Sequence, residues 1–327
     1  CGEHGYALDD VPHQFMSLRG PFAVDMLLAK RIVECLLPRA DAMRRSAEPL
    51  GELKIALQCG GSDAYSGISG NPLAALVSKE LIQAGGSAVL AETDELIGAE
   101  SYVLNKVRDA ATAERFLEMV ARFQEQAARH GHSAHGNPTG GNKYRGLYNI
   151  YLKSLGAAAK RHPDVRLDQV IEYGERMTTP GTYFMDSPGN DLESIAGQVA
   201  SGCNLIFFVT GNGSITNFPF VPTIKIVTTS ARYALLPEEM DVNAGAYLDG
   251  TPLAELAQAT RDMSLAVASG QLSAGEKAGH AQVQIWRNWP LSGLPHKDQI
   301  ARPRPSGWPL SIQAPLQTAD FTWQGDK

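Results

Sequence analysis

Residues 53–93 read LKIALQCGGSDAYSGISGNPLAALVSKELIQAGGSAVLAET. The run Leu53-Lys54-Ile55-Ala56-Leu57 is short and mostly apolar, as a buried strand is, and it empties directly into Cys59-Gly60-Gly61-Ser62-Asp63. Asn71-Pro72 then opens a helix over residues 72–84. Asparagine is suited to cap it, and proline to its first turn, where the missing N–H would find no partner anyway. Gly85-Gly86 stops the helix, and Ala88-Val89-Leu90-Ala91 forms a second strand ending in Glu92-Thr93-Asp94-Glu95. One short crossover helix between two strands implies a right-handed parallel βαβ unit. Both strand ends then lie on one edge, so Cys59 and Glu92 face the crevice where open α/β sheets bind ligands.

Working outward, residues 21–45 read as a helix, with Val24, Leu27, Leu28, Ile32 and Leu36 at helical spacing. A long helix is expected over 101–129, its stripe of Phe116, Met119, Val120 and Phe123 turned to the core. His130, His132 and His135 then lead into Asn137-Pro138-Thr139-Gly140-Gly141-Asn142-Lys143. Their spacing is not the i, i+4 zinc pair of a helix, and the segment reads as an exposed loop. A strand near 170–173 follows, then a helix capped by Asn190 or Asp191 and running to about 201. Strands at 205–209 and 223–227 flank the loop Thr210-Gly211-Asn212-Gly213-Ser214, and a last helix begins at Thr251-Pro252. The pattern predicts an α/β protein with an open parallel sheet flanked by helices. Residues 1–50 form a helical entry segment, 51–290 the α/β domain, and 291–327 an irregular proline-rich arm carrying Trp308 and Trp323.

A net charge of -6 and a pI near 5.8 provide no basic footprint for nucleic acid or anionic lipid. No apolar stretch approaches the roughly 20 residues of a membrane span, and the N-terminus carries no secretory pattern. A soluble, cytoplasmic protein is expected. The four cysteines lack both C-x-x-C spacing and disulfide density. Cys35 and Cys203, in apolar runs, are expected in the core, whereas Cys59 sits among polar groups at a strand exit.

None of the glycine loops is a dinucleotide fingerprint or a P-loop, and no G-x-S-x-G elbow occurs. What remains is a set of polar loops suited to a small hydroxylated anion. Lys143, Lys153 and Lys225 are candidates to neutralise a carboxylate, and Asn71, Asn137, Asn142, Asn190 and Thr210 to bind hydroxyls. The bland alternative for each is a solvated surface charge or a turn residue.

Taken in order, these loops resemble a known family. Cys59-Gly60-Gly61-Ser62-Asp63, Ser66-Gly67-Ile68 and Asn71-Pro72 begin the match. It continues through Glu92, Gly98-Ala99-Glu100, Asn137-Pro138, Gly141-Asn142-Lys143, Lys153-Ser154-Leu155-Gly156, Ser187-Pro188-Gly189-Asn190-Asp191 and Thr210-Gly211, to Pro222 and Lys225. Together they resemble the altronate/galactarate dehydratase family over about residues 51–230. The resemblance implies a Rossmann-like domain and a lyase that dehydrates a sugar acid to a 2-keto-3-deoxy acid with ferrous iron, or manganese or another divalent metal. It implies Cys59 and Asp63 beside the metal, the thiolate being a soft ligand. Glu92, Glu100, Lys143 and Lys153 are the implied catalytic set, and one of Lys143, Lys153 and Lys225 is implied to have a lowered pKa and act as base. Ser62 and Asn212 join Lys225, the asparagines and Thr210 in binding substrate.

Two departures bear on substrate. Asn212 and Ser214-Ile215-Thr216-Asn217 stand where family members carry an arginine and a Thr-Pro-Tyr-Gly stretch, and Tyr144-Arg145 replaces small residues, Arg145 being a second source of positive charge. The resemblance further implies that upstream family segments are unrecorded or supplied by another subunit. The expected assembly is a homodimer, with a small subunit like the family's N-terminal domain as a further partner. A sulfolactate sulfo-lyase-like large subunit and a non-catalytic sugar-acid binding protein are the alternatives.

Overall fold

A computed structural model describes residues 11–287; the proline-rich arm expected over 291–327 lies outside them. Among the described residues the strands are β1 (Lys54–Cys59), β2 (Ser87–Leu90), β3 (Gln169–Ile171), β4 (Gly181–Met185), β5 (Leu205–Thr210), β6 (Thr223–Val227) and β7 (Val242–Asn243). They form one sheet in the order β3-β4-β2-β1-β5-β6-β7, every neighbouring pair parallel. The helices are α1 (Phe22–Asp41), α2 (Asn71–Gln83), α3 (Glu100–Leu104), α4 (Ala110–Arg129), α5 (Gly140–Tyr144), α6 (Ile150–Ala158), α7 (Asp191–Ala200), α8 (Ser230–Leu235), α9 (Leu253–Ala268) and α10 (Ala274–Lys277). None of them is long and apolar enough to cross a membrane.

The sheet is covered on both faces, which is why its strands read as continuous apolar runs. Ile55, Leu57 and Cys59 of β1 pack with α2 and α9, and the same face continues through Leu90 and Phe184 to Phe116, Met119 and Val120 of α4. The register partners Ala56, Val89, Tyr183 and Ile206 turn the other way, onto Ile195 and Ala196 of α7. From β1 the chain moves to β2, skips to the edge strand β3, fills the gap with β4, and then crosses back to place β5 on β1's other side. The loops after β1 and β5 therefore diverge at a topological switch point, which leaves a crevice beyond their carboxyl ends.

Several expectations are corrected. The helix expected over 101–129 is broken at 105–109: Val107 bridges Leu167, and Asp109 caps α4 by accepting from the Thr112 N–H at 2.8 Å. The supposed loop before Lys143 contains α5, capped by Thr139 and Asn142, and α6 follows from Asn149. Strands β4 and β7 and helix α8 had no reading in the sequence. Asn71 does not cap α2, because a π-helical stretch, Ser66–Gly70, runs straight into it. Helix α1 forms where expected, but among the described residues none of its side chains is buried, Ile32 and Leu36 being half-buried, and Cys35 is exposed; Cys203 is buried as expected.

Candidate active site

The carboxyl ends of β1, β2 and β4 supply the centre of the site, and α6 with the turn after it closes it. Glu92, directly after β2, is fully buried and adopts a left-handed backbone (φ 67°), the only non-glycine residue with positive φ among the described residues. Ser187 Oγ accepts from the Glu92 N–H at 2.9 Å and fixes that turn. One Glu92 carboxylate oxygen accepts from Gln58 Nε2 at 2.6 Å, and the other is paired with Lys160 Nζ, which is also fully buried. Burial pushes the Glu92 carboxyl well above the usual carboxylate range. Burial works against the Lys160 charge, yet Glu92, Cys59 and Glu95 around it raise its pKa, and it remains an ammonium.

A second pair lies alongside. Lys153 Nζ sits 2.8 Å from Glu95 Oε1 and donates to Asn137 Oδ1 at 2.6 Å, while Asn137 Nδ2 donates to Asp94 Oδ2. Burial opposes the Lys153 charge, but Glu95 more than offsets it, and its pKa stands above the usual lysine value. Asp94 is pushed up to about 6 by burial and then by Glu95; Asp191, the first residue of α7, is pushed up to about 6 by the same two causes. The glycines of the loops make room for these acids. A Cβ on Gly60 would lie 2.4 Å from Asp191 Oδ2, and one on Gly189 would lie 2.9 Å from both Asp94 oxygens. Carboxyls that titrate near neutrality beside ammonium groups held charged are suited to moving a proton.

The structure thus brings together Cys59, Ser62, Glu92, Asn137 and Lys153 of the expected set. Cys59 Sγ and Ser62 Oγ are 2.6 Å apart, and Asn142 Nδ2 donates to Ser62 O at 2.8 Å, tying α5 to the β1 loop. The other expected residues have local tasks. Glu100 accepts from the Gly98 N–H at 2.9 Å, a turn within its own segment. Asn71 donates to Gly156 O, Asn190 caps α7, and Thr210 Oγ1 accepts from the N–H groups of Asn212 and Gly213. Lys143 stands exposed on α5. Lys225 donates to Ser214 O at 3.0 Å; burial lowers its pKa, and its charged neighbours are Asp241 and Glu239, outside this cluster. Of the three lysines expected to include one with a lowered pKa, it is Lys225 that has it, outside this cluster, while that of Lys153 is raised.

Sequence reading missed Gln58, Glu95 and Lys160 as members, and saw Asp94 and Asp191 only as a polar strand end and a helix cap. The acids follow a strand and could have been found by their edge. Lys160, beside Arg161 just past a helix, carries the signature of a solvated helix end.

A divalent metal at Cys59 and Asp63 does not fit the donors present. Burial pushes the Cys59 thiol up to about 12, and its Sγ is already in contact with Ser62 Oγ at 2.6 Å. Asp63 is already occupied: Oδ1 accepts from the Ser66 N–H at 2.8 Å and Oδ2 from Thr228 Oγ1 at 2.8 Å. Among the described residues no three His, Cys, Asp or Glu side chains gather as ligands.

Comparison with known proteins adds an independent finding. The family profile described as D-galactarate/altronate dehydratase, C-terminal, matches residues 50–291. The altronate dehydratase of Escherichia coli (strain K12) is 35% identical over 245 residues, covering 75% of this chain and 49% of that protein. That of Bacillus subtilis (strain 168) is 35% identical over 246 residues, with the same coverage. The (2R)-sulfolactate sulfo-lyase subunit beta of Chromohalobacter salexigens is 32% identical over 251 residues, 76% of this chain and 64% of that subunit. The chain spans about half the length of the altronate dehydratases it matches.

Proposed function

The chain belongs to the D-galactarate/altronate dehydratase family, and from that premise we propose that it takes part in removing water from a sugar acid to leave a 2-keto-3-deoxy acid. The observation that carries this reading is the group of carboxyls titrating near neutrality, Asp94 and Asp191, held beside the buried pairs Glu95–Lys153 and Glu92–Lys160.

Dehydration next to a carboxylate requires a base to take the α-proton, charge to stabilise the resulting enediolate, and an acid to protonate the departing β-hydroxyl. Asp94 and Asp191 exchange these protons: an ionised carboxylate accepts the α-proton, the electron pair moves toward the carboxylate carbon, and a protonated carboxyl delivers its proton as the β-hydroxyl leaves as water. The enol that remains tautomerises to the 2-keto acid. Lys153 and Lys160, paired with Glu95 and Glu92, offset charge as it builds. Glu92, set in its strained turn, orients Gln58 and Lys160. No step is assigned to a metal, because the donors at Cys59 and Asp63 do not suit one.

Incubating the chain with aldonates, aldarates and sulfolactate, with and without ferrous iron, while following 2-keto acid and sulfite, tests the reading. Keto acid from a sugar acid is the expected outcome. Sulfite from sulfolactate would establish instead the second reading, which the similarity to the sulfo-lyase subunit favours. Neither product under any of these conditions would remove both.

A further inference from the structure

We propose that Arg122, on α4 and outside the cluster, is a positioning residue for it: acting through Asp186 and Thr93, its guanidinium holds the turn that places Glu92 and Asp94. The inference rests on the sugar-acid reading above and deepens it.

Thr93 stands between the left-handed Glu92 and Asp94, so whatever fixes it fixes both neighbours. It is clasped to Ser187, just beyond β4, by reciprocal bonds: the Thr93 N–H donates to Ser187 O at 2.9 Å, and the Ser187 N–H donates to Thr93 Oγ1 at 3.1 Å. A threonine hydroxyl has one proton to give. Here it goes to Asp186 Oδ1 at 2.5 Å, which leaves the lone pairs of Thr93 Oγ1 turned to the Ser187 N–H. Thr93 and Ser187 are fully buried and Asp186 is 3% exposed, so a partner lost here is not readily replaced by water.

The direction of that hydroxyl depends on Asp186 accepting at both oxygens. Its Oδ2 accepts from Arg122 Nη2 at 2.6 Å. A carboxylate this buried needs a cation beside it, and removing the cation leaves its charge uncompensated. A protonated Asp186 would carry a donor of its own, and the Thr93 hydroxyl would lose its fixed direction. Arg122 is held to this task from outside, because Glu172, directly after β3, accepts from Nη1 at 3.1 Å and from Nη2 at 2.6 Å. The planar fork lets one side chain meet both carboxylates, which a lysine ammonium does not reproduce. The clamp thus ties the carboxyl ends of β3 and β4 and reaches the end of β2 through Thr93. Two side chains separate Arg122 from Asp94, so it positions that carboxyl and does not react.

Kinetics and NMR on the full chain provide the test, with circular dichroism to check that each variant is folded. With the sugar acid that yields keto acid, Thr93→Val and Arg122→Gln should each lower kcat by about tenfold and leave KM within about twofold, as a displaced reacting group does. Thr93→Ser restores the hydroxyl and Glu172→Gln spares the Arg122–Asp186 pair, so both should stay within about twofold of wild type. Combining Arg122→Gln with Thr93→Val should slow the chain no more than Thr93→Val alone, since both act through one hydroxyl, whereas a merely structural contribution from Arg122 would add. Where Arg122→Gln does not fold, Arg122→Lys takes its place, with a smaller loss in the same direction. A readout that needs no turnover is the Asp94 carboxyl, which faces Glu95, Lys153 and Asn137. Followed by carbon-13 NMR, it should titrate about one pH unit lower in both single variants, as the loosened turn admits water. Unaltered kcat with unaltered Asp94 titration, additive losses in the double variant, or a Thr93→Ser variant as slow as Thr93→Val would each overturn the proposal. A shifted Asp94 titration in a chain that forms no keto acid from any aldonate or aldarate would remove the dehydration reading and leave the positioning role standing.

Discussion

At the scale of single residues, the Glu92–Lys160 pair is the least replaceable feature of the site. Both side chains are fully buried, so removing one strands the other as an uncompensated charge. Glu92→Ala is expected to cost about 3–5 kcal/mol in denaturant unfolding, whereas the double variant Glu92→Leu with Lys160→Met should recover most of that loss. A double variant no more stable than the single one would show that the pair is not coupled. Asp94 yields a pH signature. Its carboxyl is raised from 3.8 to about 6 in the folded chain, so the folded state holds that proton more tightly than the unfolded one. The stability this contributes is fully present below about pH 4 and is lost as pH rises through about 6, a change on the order of 3 kcal/mol. The stability difference between wild type and Asp94→Asn, measured across pH 4–7, should follow that curve. Cys59 and Glu92 were legible because polar residues directly after an apolar strand mark a sheet edge. Lys160 was not, because nothing local distinguishes a buried lysine from a solvated one.

At the scale of elements, short-range chemistry decided more than periodicity. The helical stripe of 101–129 is real from Phe116 onward, but Asp109 restarts the helix and the Val107–Leu167 bridge interrupts it. Asn142 acts twice: its Oδ1 accepts from the Thr139 N–H in the box that caps α5, and its Nδ2 holds Ser62 O. Asn142→Ala should therefore cost about 1–2 kcal/mol, more than an ordinary exposed cap, and should also lower substrate affinity because the β1 loop loses its tie. Unfolding curves and binding isotherms on the same variant separate the two effects. The glycine loops, read as ligand cradles, have a further use that no pattern announces. Gly60 and Gly189 are bare so that Asp191 and Asp94 can approach the backbone.

At the scale of the whole molecule, helix α1 stands apart from the sheet. Leu28 and Val33 are 45% and 55% exposed, so replacing them together with glutamate and lysine should leave the chain's unfolding free energy within about 0.5 kcal/mol. A larger loss would mean that α1 is held more tightly than the exposure of these side chains shows. The sequence by itself determined the βαβ unit, the parallel sense of the sheet, the edge that carries the polar cluster and the family, because strand length, helix stops and ordered loop motifs are encoded locally. It did not determine that β4 lies between β3 and β2, that Lys153 and Lys160 turn inward to meet Glu95 and Glu92, or that α1 buries none of its residues among the described ones. Those follow only when strands distant in the chain are set side by side, since burial and charge pairing depend on which groups share a space and not on which are neighbours in sequence.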